Sequence, residues 1–365
     1  MVGLASTASA GVFTPLGTQN LTHALIPPSD CALCHADYDA QNHIEPWDTW
    51  AGSMMANAGR DPIFWAALDV ANHDAEQLGY PGIGEYCLRC HSPAGWLAGR
   101  ADADPPPSAG IGDADGCSLI GEIDSPDDDF TGLGCQFCHR MQVNTDPPPG
   151  QENVYFENGN FWLDDDVCPD ARGVPQEPCR RGPYDYQGLH HHETPSHEWA
   201  YSQYHIDNSI CGNCHNVTSP LLNLVDDTGA DVGIGFPIER TYKEWQQSDF
   251  SDSQSPDFAN CSSCHMPDAT ANPVYASRQE LHNRCTDDQD VDCLDSGGLP
   301  THQLAGGNTW SPQLIKGEYP NLGRDDELDA TTALAMDMLQ NRSATVEVLG
   351  ATTVGQGGTV PVRIK

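Results

Sequence analysis

One five-residue pattern occurs five times in the chain: two cysteines separated by two residues, with a histidine directly after the second cysteine. The copies are Cys31-Ala-Leu-Cys34-His35, Cys87-Leu-Arg-Cys90-His91, Cys135-Gln-Phe-Cys138-His139, Cys211-Gly-Asn-Cys214-His215 and Cys261-Ser-Ser-Cys264-His265. This spacing is the signature of c-type haem attachment. The two thiols add across the porphyrin vinyl groups, and the adjacent histidine becomes the proximal ligand of the iron. The sequence therefore predicts five covalently bound haems.

Zinc knuckles, iron–sulfur clusters and disulfides also use paired cysteines, but none of them requires a histidine directly after the second cysteine. All five copies have that histidine. Haem would also fill the interior, because only 38% of the residues are hydrophobic while the chain holds 35 Gly and 28 Pro. A chain this poor in aliphatic core is expected to fold around haem and to be largely unfolded without it.

The other five cysteines form a separate set. They are Cys117, Cys168, Cys179, Cys285 and Cys293. Cys168 with Cys179 and Cys285 with Cys293 each bracket a short loop, so two local disulfides are predicted. Cys117 is left over, and we expect a buried free thiol in preference to an intermolecular bridge. Haem attachment and disulfides both favour an extracytoplasmic compartment, periplasmic or at the cell surface.

Ten histidines lie outside the motifs, whereas five irons need at most five distal ligands. His302 is a distal candidate because Gly306 and Gly307 after it would let the backbone pass close to a porphyrin. His205 lies six residues before Cys211, too near to reach the far face of the same haem, so it is expected to serve a neighbouring one.

A run of histidines supplies further distal candidates. We expect one or two of His191, His192 and His197 to bind iron and the rest to be solvated. Because adjacent side chains diverge, this run could serve two different haems.

Four weaker candidates complete the set. His23 precedes the first motif and could be an arm, either within the chain or reaching another subunit. His43 and His282 are loop histidines. Met54 and Met55 are either core filler or, for Met55, a thioether ligand that would raise the potential of one haem.

The motifs and the local composition divide the chain into five segments. These are 1–30, a signal remnant and N-terminal arm; 31–145, a module with haems 1 to 3; 146–200, an insertion with a β-hairpin and a probable disulfide; 201–325, a module with haems 4 and 5; and 326–365, a closing helix with β-strands. The first segment contains Ala8-Ser9-Ala10, which is typical of a signal cleavage site and places the mature start near Gly11. The β-rich end stops abruptly at Lys365.

Three local patterns predict secondary structure. Asp61 and Pro62 begin a helix whose apolar stripe is Phe64, Ala67, Leu68 and Ala71, and Gly79 ends it. Residues 154–156 and 161–163 flank an Asn-Gly pair and predict the hairpin of the insertion. Residues 326–340 predict the closing helix, and 345–348 and 360–364 alternate like strands.

Charge narrows the classes of partner. Lys and Arg total 16 against 53 Asp and Glu, which gives a formal charge of −37, so a nucleic-acid binder is excluded. No apolar run approaches the roughly 18 residues of a transmembrane helix. Haem propionates would add to the negative charge and favour basic redox partners or cations. The acidic clusters at 127–129, 164–166 and 287–292 are expected to be solvated loops, with calcium sites as the alternative.

Several segments resemble secreted bacterial multihaem c-type cytochromes with a tetrahaem-cytochrome-like core. They are Trp50-Ala-Gly-Ser-Met-Met55, Cys211-Gly-Asn-Cys214-His215-Asn-Val217, the stretch from Cys261 to Pro267 and the stretch from His302 to Asn308. The resemblance implies a mainly α and irregular multihaem cytochrome c fold and electron transfer outside the cytoplasm, to redox proteins or extracellular acceptors. Some relatives polymerise into extracellular haem filaments. Relatives often carry His where Met55 stands here.

Three functions remain open from the sequence. The first is an electron carrier with every iron capped at both axial positions, which the surplus of histidines favours. The second is an enzyme of the pentahaem nitrite reductase or hydroxylamine-oxidising kind with one open iron, although the C-x-x-C-K motif typical of the nitrite reductases does not occur. The third is the subunit of a filament, which overlaps with the first.

Overall fold

The secondary structure consists of short helices and five two-stranded sheets in the residues described. The computed structural model describes residues 21–36, 45–80, 82–101, 114–125, 128–142, 157–169, 175–185, 195, 197–207, 209–267, 300–349 and 358–364. The α-helices are α1 (Pro28–His35), α2 (Pro46–Trp50), α3 (Pro62–Gln77), α4 (Gly84–His91), α5 (Pro93–Leu97), α6 (Cys135–His139), α7 (Gln203–Ile206), α8 (Thr241–Gln246), α9 (Cys261–His265), α10 (Ser311–Glu318) and α11 (Asp325–Asp337). Turns of 3₁₀-helix lie at Ala58–Arg60, Ser209–Asn213 and Asp249–Ser251, and a π-helical turn at Met338–Arg342.

Each sheet pairs two strands only, within the described ranges. The strands are β1 (Met141–Gln142), β2 (Trp162–Leu163), β3 (Val167–Pro169), β4 (Pro175–Pro178), β5 (Arg180–Gly182), β6 (Trp199–Tyr201), β7 (Val217–Val225), β8 (Asp231–Glu239), β9 (Val346–Val348) and β10 (Val362–Ile364). The pairs β1–β2, β3–β4, β7–β8 and β9–β10 are antiparallel, and β5–β6 is parallel. None of the helices in the described ranges combines the length and the apolar character that crossing a lipid bilayer requires.

Helix α3 forms where the sequence predicts it. The carboxylate of Asp61 accepts a hydrogen bond of 2.9 Å from the backbone N–H of Ile63, which satisfies one of the unpaired donors of the first turn. Gly79 follows the helix with φ of 83°, a left-handed conformation that costs glycine little. Phe64 and Leu68 of the predicted stripe are buried, but Ala67 is exposed, so the buried face is narrower than expected.

Replacing the capping carboxylate should destabilise this helix measurably. Asp61→Ala removes the acceptor for Ile63 and also the contact with Ser311 Oγ at 3.2 Å, so we expect a loss of about 1 kcal/mol in the free energy of unfolding. Urea unfolding measures the difference. Asp69→Ala, an exposed position on the same helix, is the matched control and should change stability by less than about 0.5 kcal/mol. Equal effects of the two variants would contradict the capping role.

The structure describes the turn and the second strand of the hairpin expected in the insertion. Asn158 and Gly159 do form a left-handed turn, with φ of 65° and 63°. Strand β2 then pairs with β1, with Met141 opposite Leu163, so its partner comes from the end of the preceding segment. The first strand predicted for the hairpin, residues 154–156, lies outside the described residues. A local hairpin pattern identified the turn and one strand but not the longer-range partner.

The main hydrophobic core lies among the second, third and fourth cysteine motifs. Its buried members are Phe64, Leu68, Leu88, Trp96, Leu97, Ala101, Leu119, Phe137, Met141, Phe161, Leu163 and Tyr204. Cys87, Cys138 and Ile210, which belong to or adjoin those motifs, pack against it. Met54 packs against a separate small cluster of Ile315 and Leu328, which is the core-filling role considered for it.

The longest sheet lies where no hairpin was predicted, in the segment 201–325. Strands β7 and β8 are nine residues each, and a turn at 226–229 joins them, with Asp226 Oδ1 accepting from Thr228 and Ala230. Alternating apolar side chains on β8 are exposed, and Ile234 and Ile238 are each 59% exposed. Near the end of the chain, α11 and the pair β9–β10 match the predicted closing helix and strands to within a few residues.

Candidate metal centres

The five motifs share one local geometry, since each cysteine pair lies on a single helical turn. Helices α1, α4, α6 and α9 each contain a whole motif, and in the fourth copy the 3₁₀ turn Ser209–Asn213 leads into Cys214 and His215. Residues three apart lie on the same side of a helix, so the two thiols of a pair face the same way. None of the ten motif thiols, all of which lie in the described residues, takes part in a disulfide. Two reduced thiols on one side of a turn with an imidazole beside them fit covalent haem attachment.

Cysteines of different motifs lie against one another. The contacting thiols are Cys31 with Cys135, Cys90 with Cys214, and Cys211 with Cys261. Cys138 is also close enough to Cys211 and Cys214 to act on them electrostatically. The tertiary fold therefore places motif 1 beside motif 3, and motif 4 beside motifs 2, 3 and 5.

Two motif histidines are oriented by backbone carbonyls. His139 donates from Nδ1 to the carbonyl of Arg181 at 2.6 Å, and His265 donates from Nδ1 to the carbonyl of Ala305 at 2.6 Å. A proton held on Nδ1 leaves the lone pair on Nε2, which is the arrangement that outer hydrogen bonds impose on metal-binding histidines. Both imidazoles are therefore prepared to bind a metal through Nε2.

Burial keeps the imidazoles of His35, His91, His139 and His215 neutral. Desolvation is the main cause that lowers the pKa of His35 and of His91 to about 4, and it also lowers the pKa values of His139 and His215. A neutral imidazole is the form that binds metal ions, because protonation removes the lone pair. The electrostatic environment of these four side chains thus favours metal ligation over proton binding at neutral pH.

Three of the other histidines gather around motifs 1 and 3. The ring centroid of His197 lies 6.4 Å from that of His35. The ring centroids of His302 and His205 lie 6.2 Å and 5.8 Å from that of His139. The structure thus brings His302, His205 and His197 of the predicted distal candidates to one region of the molecule.

The remaining described candidates, His23 and Met55, have no second histidine ring beside them among the residues that the structure describes. His23 donates from Nδ1 to the backbone carbonyl of Asp165 at 3.2 Å, so the arm before motif 1 folds back onto its own chain. Met55 is half-buried and accepts a backbone hydrogen bond of 2.8 Å from Leu133, two residues before motif 3. An iron ligand at Met55 stays a prediction. His43, His191 and His192, together with His282 and the pair Cys285 and Cys293, lie outside the described residues.

The insertion builds part of the site around motif 3. A disulfide joins Cys168 on β3 to Cys179 beside β4, as the loop spacing predicts. Strand β5 follows directly and carries Arg181, whose carbonyl orients His139. Strand β6 lies beside β5 and follows His197 in the chain. The segment without a cysteine motif therefore supplies contacts to the cysteine motifs of another segment.

Two predictions about acidic side chains and thiols are wrong. Of the clusters expected to be solvated loops, those at 128–129 and 164–165 instead form ion pairs with arginines. The pairs are Asp128 with Arg60 at 2.8 Å, Asp129 with Arg100 at 2.5 Å, Asp164 with Arg181 at 2.5 Å and Asp165 with Arg140 at 2.7 Å.

Cys117 is an exposed free thiol, whereas a buried one was expected. It lies at the surface because its backbone N–H donates to the carboxylate of Asp115 in a tight turn.

Sequence reasoning missed the groups that support the motif histidines. Phe64, assigned only to a helix stripe, stacks on His91 with ring centroids 3.9 Å apart. The carbonyls of Arg181 and Ala305 could not be identified, because every residue has a carbonyl and only the tertiary fold selects one. Among the described residues, no group of three or more His, Cys, Asp or Glu side chains could hold a metal ion by itself. A haem iron takes one or two side-chain ligands.

Comparisons with known proteins add no further identification. No protein-family model, no curated protein and no solved structure matches the chain. The cysteine motifs and the geometry around them are therefore the features that indicate a function.

The buried histidines should make the fold sensitive to mild acid. Burial, aided by the nearby His139, lowers the pKa of His205 to about 4, while the unfolded chain binds this proton near 6.5. The contribution of neutral His205 to the free energy of unfolding is therefore fully present above pH 6.5 and is lost as the pH falls towards 4. We expect the free energy of unfolding in urea to fall less steeply over this range in His205→Gln than in the wild type. An identical slope in His205→Gln and in the wild type would contradict this role of His205.

Proposed function

We propose that the chain binds five c-type haems and transfers electrons between redox partners outside the cytoplasm. The observation that carries this proposal is the contact between thiols of different motifs, as in Cys90 with Cys214 and Cys211 with Cys261. Haems attached at touching cysteines would be close neighbours. Closely spaced redox centres suit the passage of electrons through a protein better than the conversion of a substrate at one centre.

The chain's own residues would define each centre. Ten cysteines would attach the porphyrins, and His35, His91, His139, His215 and His265 would be the proximal ligands. A bound haem supplies a one-electron iron couple whose potential depends on its axial ligands and on the surrounding polarity. The hydrogen bonds of His139 and His265 to carbonyls would hold those imidazoles in the metal-binding tautomer.

The disulfide supports the proposed compartment. Cys168–Cys179 closes a hairpin in the segment that contacts motif 3. Disulfides persist in oxidising environments such as the periplasm and the cell surface, where c-type haem attachment also takes place. Together these features favour a location outside the cytoplasm.

The first experiment counts haems and their spin states. The full chain is expressed with a haem-attachment apparatus, and intact mass together with the haem absorbance should show five haems per chain. Replacing both cysteines of one motif with alanine should remove one haem's mass, while Cys117→Ala should remove none. A chain that carries no covalent haem would overturn the proposal.

The same sample separates an electron carrier from an enzyme. Electron paramagnetic resonance of the oxidised protein should show only low-spin haem if every iron has two axial ligands. A high-spin signal from one full haem would indicate an open iron and favour the nitrite reductase or hydroxylamine-oxidising alternative.

A filament subunit is the second candidate, and an exposed apolar surface favours it. Strand β8 presents Val232, Ile234, Phe236 and Ile238 with exposed fractions between 45% and 59%. A two-stranded hairpin alone in water is marginally stable, so a covering surface would stabilise it. The net charge of −37 opposes self-association at low salt. Sedimentation at low and high salt, with and without calcium, should show whether polymer forms when the charge is screened.

A further inference from the structure

We propose that His197 is the distal ligand opposite His35, that His302 is the distal ligand opposite His139, and that His205 binds no iron. This inference rests on the proposed function. It assigns a distal ligand to each of two motif histidines, which the sequence alone could not do. It also removes His205, whose ring is nearest to His139, from the set of distal ligands.

The ring separations carry the assignment. Bonds from a metal to an imidazole nitrogen are about 2.0–2.1 Å, so two imidazoles on opposite sides of one metal have centroids about 6 Å apart. His35 and His197 are separated by 6.4 Å, and His139 and His302 by 6.2 Å. Both separations leave room for one metal between two rings.

His197 has the tautomer that a ligand requires. Its Nδ1 donates to the backbone carbonyl of Glu198 at 2.9 Å, which leaves the lone pair on Nε2. The same carbonyl accepts a hydrogen bond of 3.2 Å from the backbone N–H of Arg180. The carbonyl of Glu198, just before strand β6, therefore holds His197, and the carbonyl of Arg181 on strand β5 orients His139.

His302 is fixed by contacts from two directions. Its backbone N–H donates to Thr49 Oγ1 at 2.8 Å, and Thr301 before it donates to the carbonyl of Pro267 at 3.0 Å. These bonds attach the loop to α2 on one side and to the segment after motif 5 on the other. The histidine rings that act on His302 electrostatically are His139 and His35, so its surroundings are those of motifs 1 and 3.

His205 is excluded by its hydrogen bonds although its ring is nearest to His139. Its Nε2 donates to the carbonyl of Cys138 at 3.0 Å, and its Nδ1 accepts from Ser202 Oγ at 2.8 Å. Both nitrogens are occupied, and metal binding through Nε2 would break the bond to motif 3. His205 therefore acts as a positioning residue for the backbone of Cys138.

The test compares alanine variants of the three histidines in the haem-loaded full chain. In His197→Ala and in His302→Ala, one low-spin haem signal per chain should be replaced by a high-spin signal in the oxidised protein. Added imidazole should restore the low-spin signal, because it can occupy the vacated position. His205→Ala, the matched control, should keep every haem low-spin.

A second set of variants tests which haem each histidine serves. In a chain with Cys31→Ala and Cys34→Ala, which lacks the first haem, His197→Ala should no longer produce a high-spin signal, whereas His302→Ala still should. If alanine variants do not fold, His197→Met and His302→Met replace them. A thioether keeps the iron six-coordinate but raises its potential, so one midpoint potential should shift upward in each.

Failure of these ligand assignments can be distinguished from failure of the proposed function. A wild-type chain without covalent haem overturns the function itself. Five haems with unchanged spin states in His197→Ala or His302→Ala overturn that axial pair alone. A high-spin signal in His205→Ala that imidazole abolishes would make His205 a ligand and overturn its exclusion.

Discussion

Expressed in a compartment that does not attach haem, the chain should lose most of its ordered secondary structure. The two smaller hydrophobic clusters contain three buried residues each, and several strands are two or three residues long. Burial of apolar surface on this scale does not offset the conformational entropy of ordering so long a chain. Five haems would supply the missing apolar surface between the motifs.

Far-ultraviolet circular dichroism and limited proteolysis measure this effect directly. The haem-free chain should show a largely disordered spectrum and rapid cleavage, and the same chain expressed with the haem-attachment apparatus is the control. A haem-free chain that melts cooperatively and resists protease would show that the polypeptide core suffices.

Arg140→Leu should be among the most destabilising single substitutions in the described part of the chain. The Arg140 side chain is fully buried directly after motif 3. Its guanidinium donates to the carbonyl of Asp164 at 2.7 Å, to the carbonyl of His23 at 2.8 Å and to the carboxylate of Asp165 at 2.7 Å. Leucine would leave these acceptors without their donor, and breaking a buried ion pair in this way costs about 3–5 kcal/mol.

Urea unfolding and hydrogen exchange test this prediction together. The free energy of unfolding should fall by about 3 kcal/mol or more, and the backbone amide of His23 should exchange faster, because the arm loses an anchor. Arg363→Leu is the matched control. Its ion pair with Glu347, at 3.5 Å, is half exposed, so its loss should cost less than about 1 kcal/mol. A loss in Arg140→Leu as small as that of the control would contradict the role of the buried network.

Local patterns predicted the elements that local forces determine. Helix α3 depends on a cap at Asp61 and a proline in its first turn, and these act within a few residues. The disulfide between Cys168 and Cys179 closes a loop with a sequence separation of 11, so proximity along the chain was enough to predict it. The pair β7–β8 was not predicted, although Val232, Ile234, Phe236 and Ile238 alternate on β8 and a turn at 226–229 joins the two strands.

The partners of the acidic side chains could not be predicted from the sequence. A run of carboxylates is compatible with solvent, calcium or arginine as a partner, and the sequence does not show which of these lies beside it. Asp128 and Asp165 instead meet the buried arginines Arg60 and Arg140, and these partners are 68 and 25 residues away in sequence. The same limit explains β2, which pairs with β1 across the segment boundary.

The sequence by itself determined the chemical groups available to this protein: ten thiols and five adjacent histidines in the spacing typical of c-type haem attachment, a surplus of other histidines, and a strongly negative net charge. Tertiary structure alone decided which motifs are neighbours and which histidine faces which. Cys31 meets Cys135, and His139 lies near His302, across separations that no local pattern encodes. The physical reason is that ligand types depend on covalent chemistry, whereas their pairing depends on how distant segments pack.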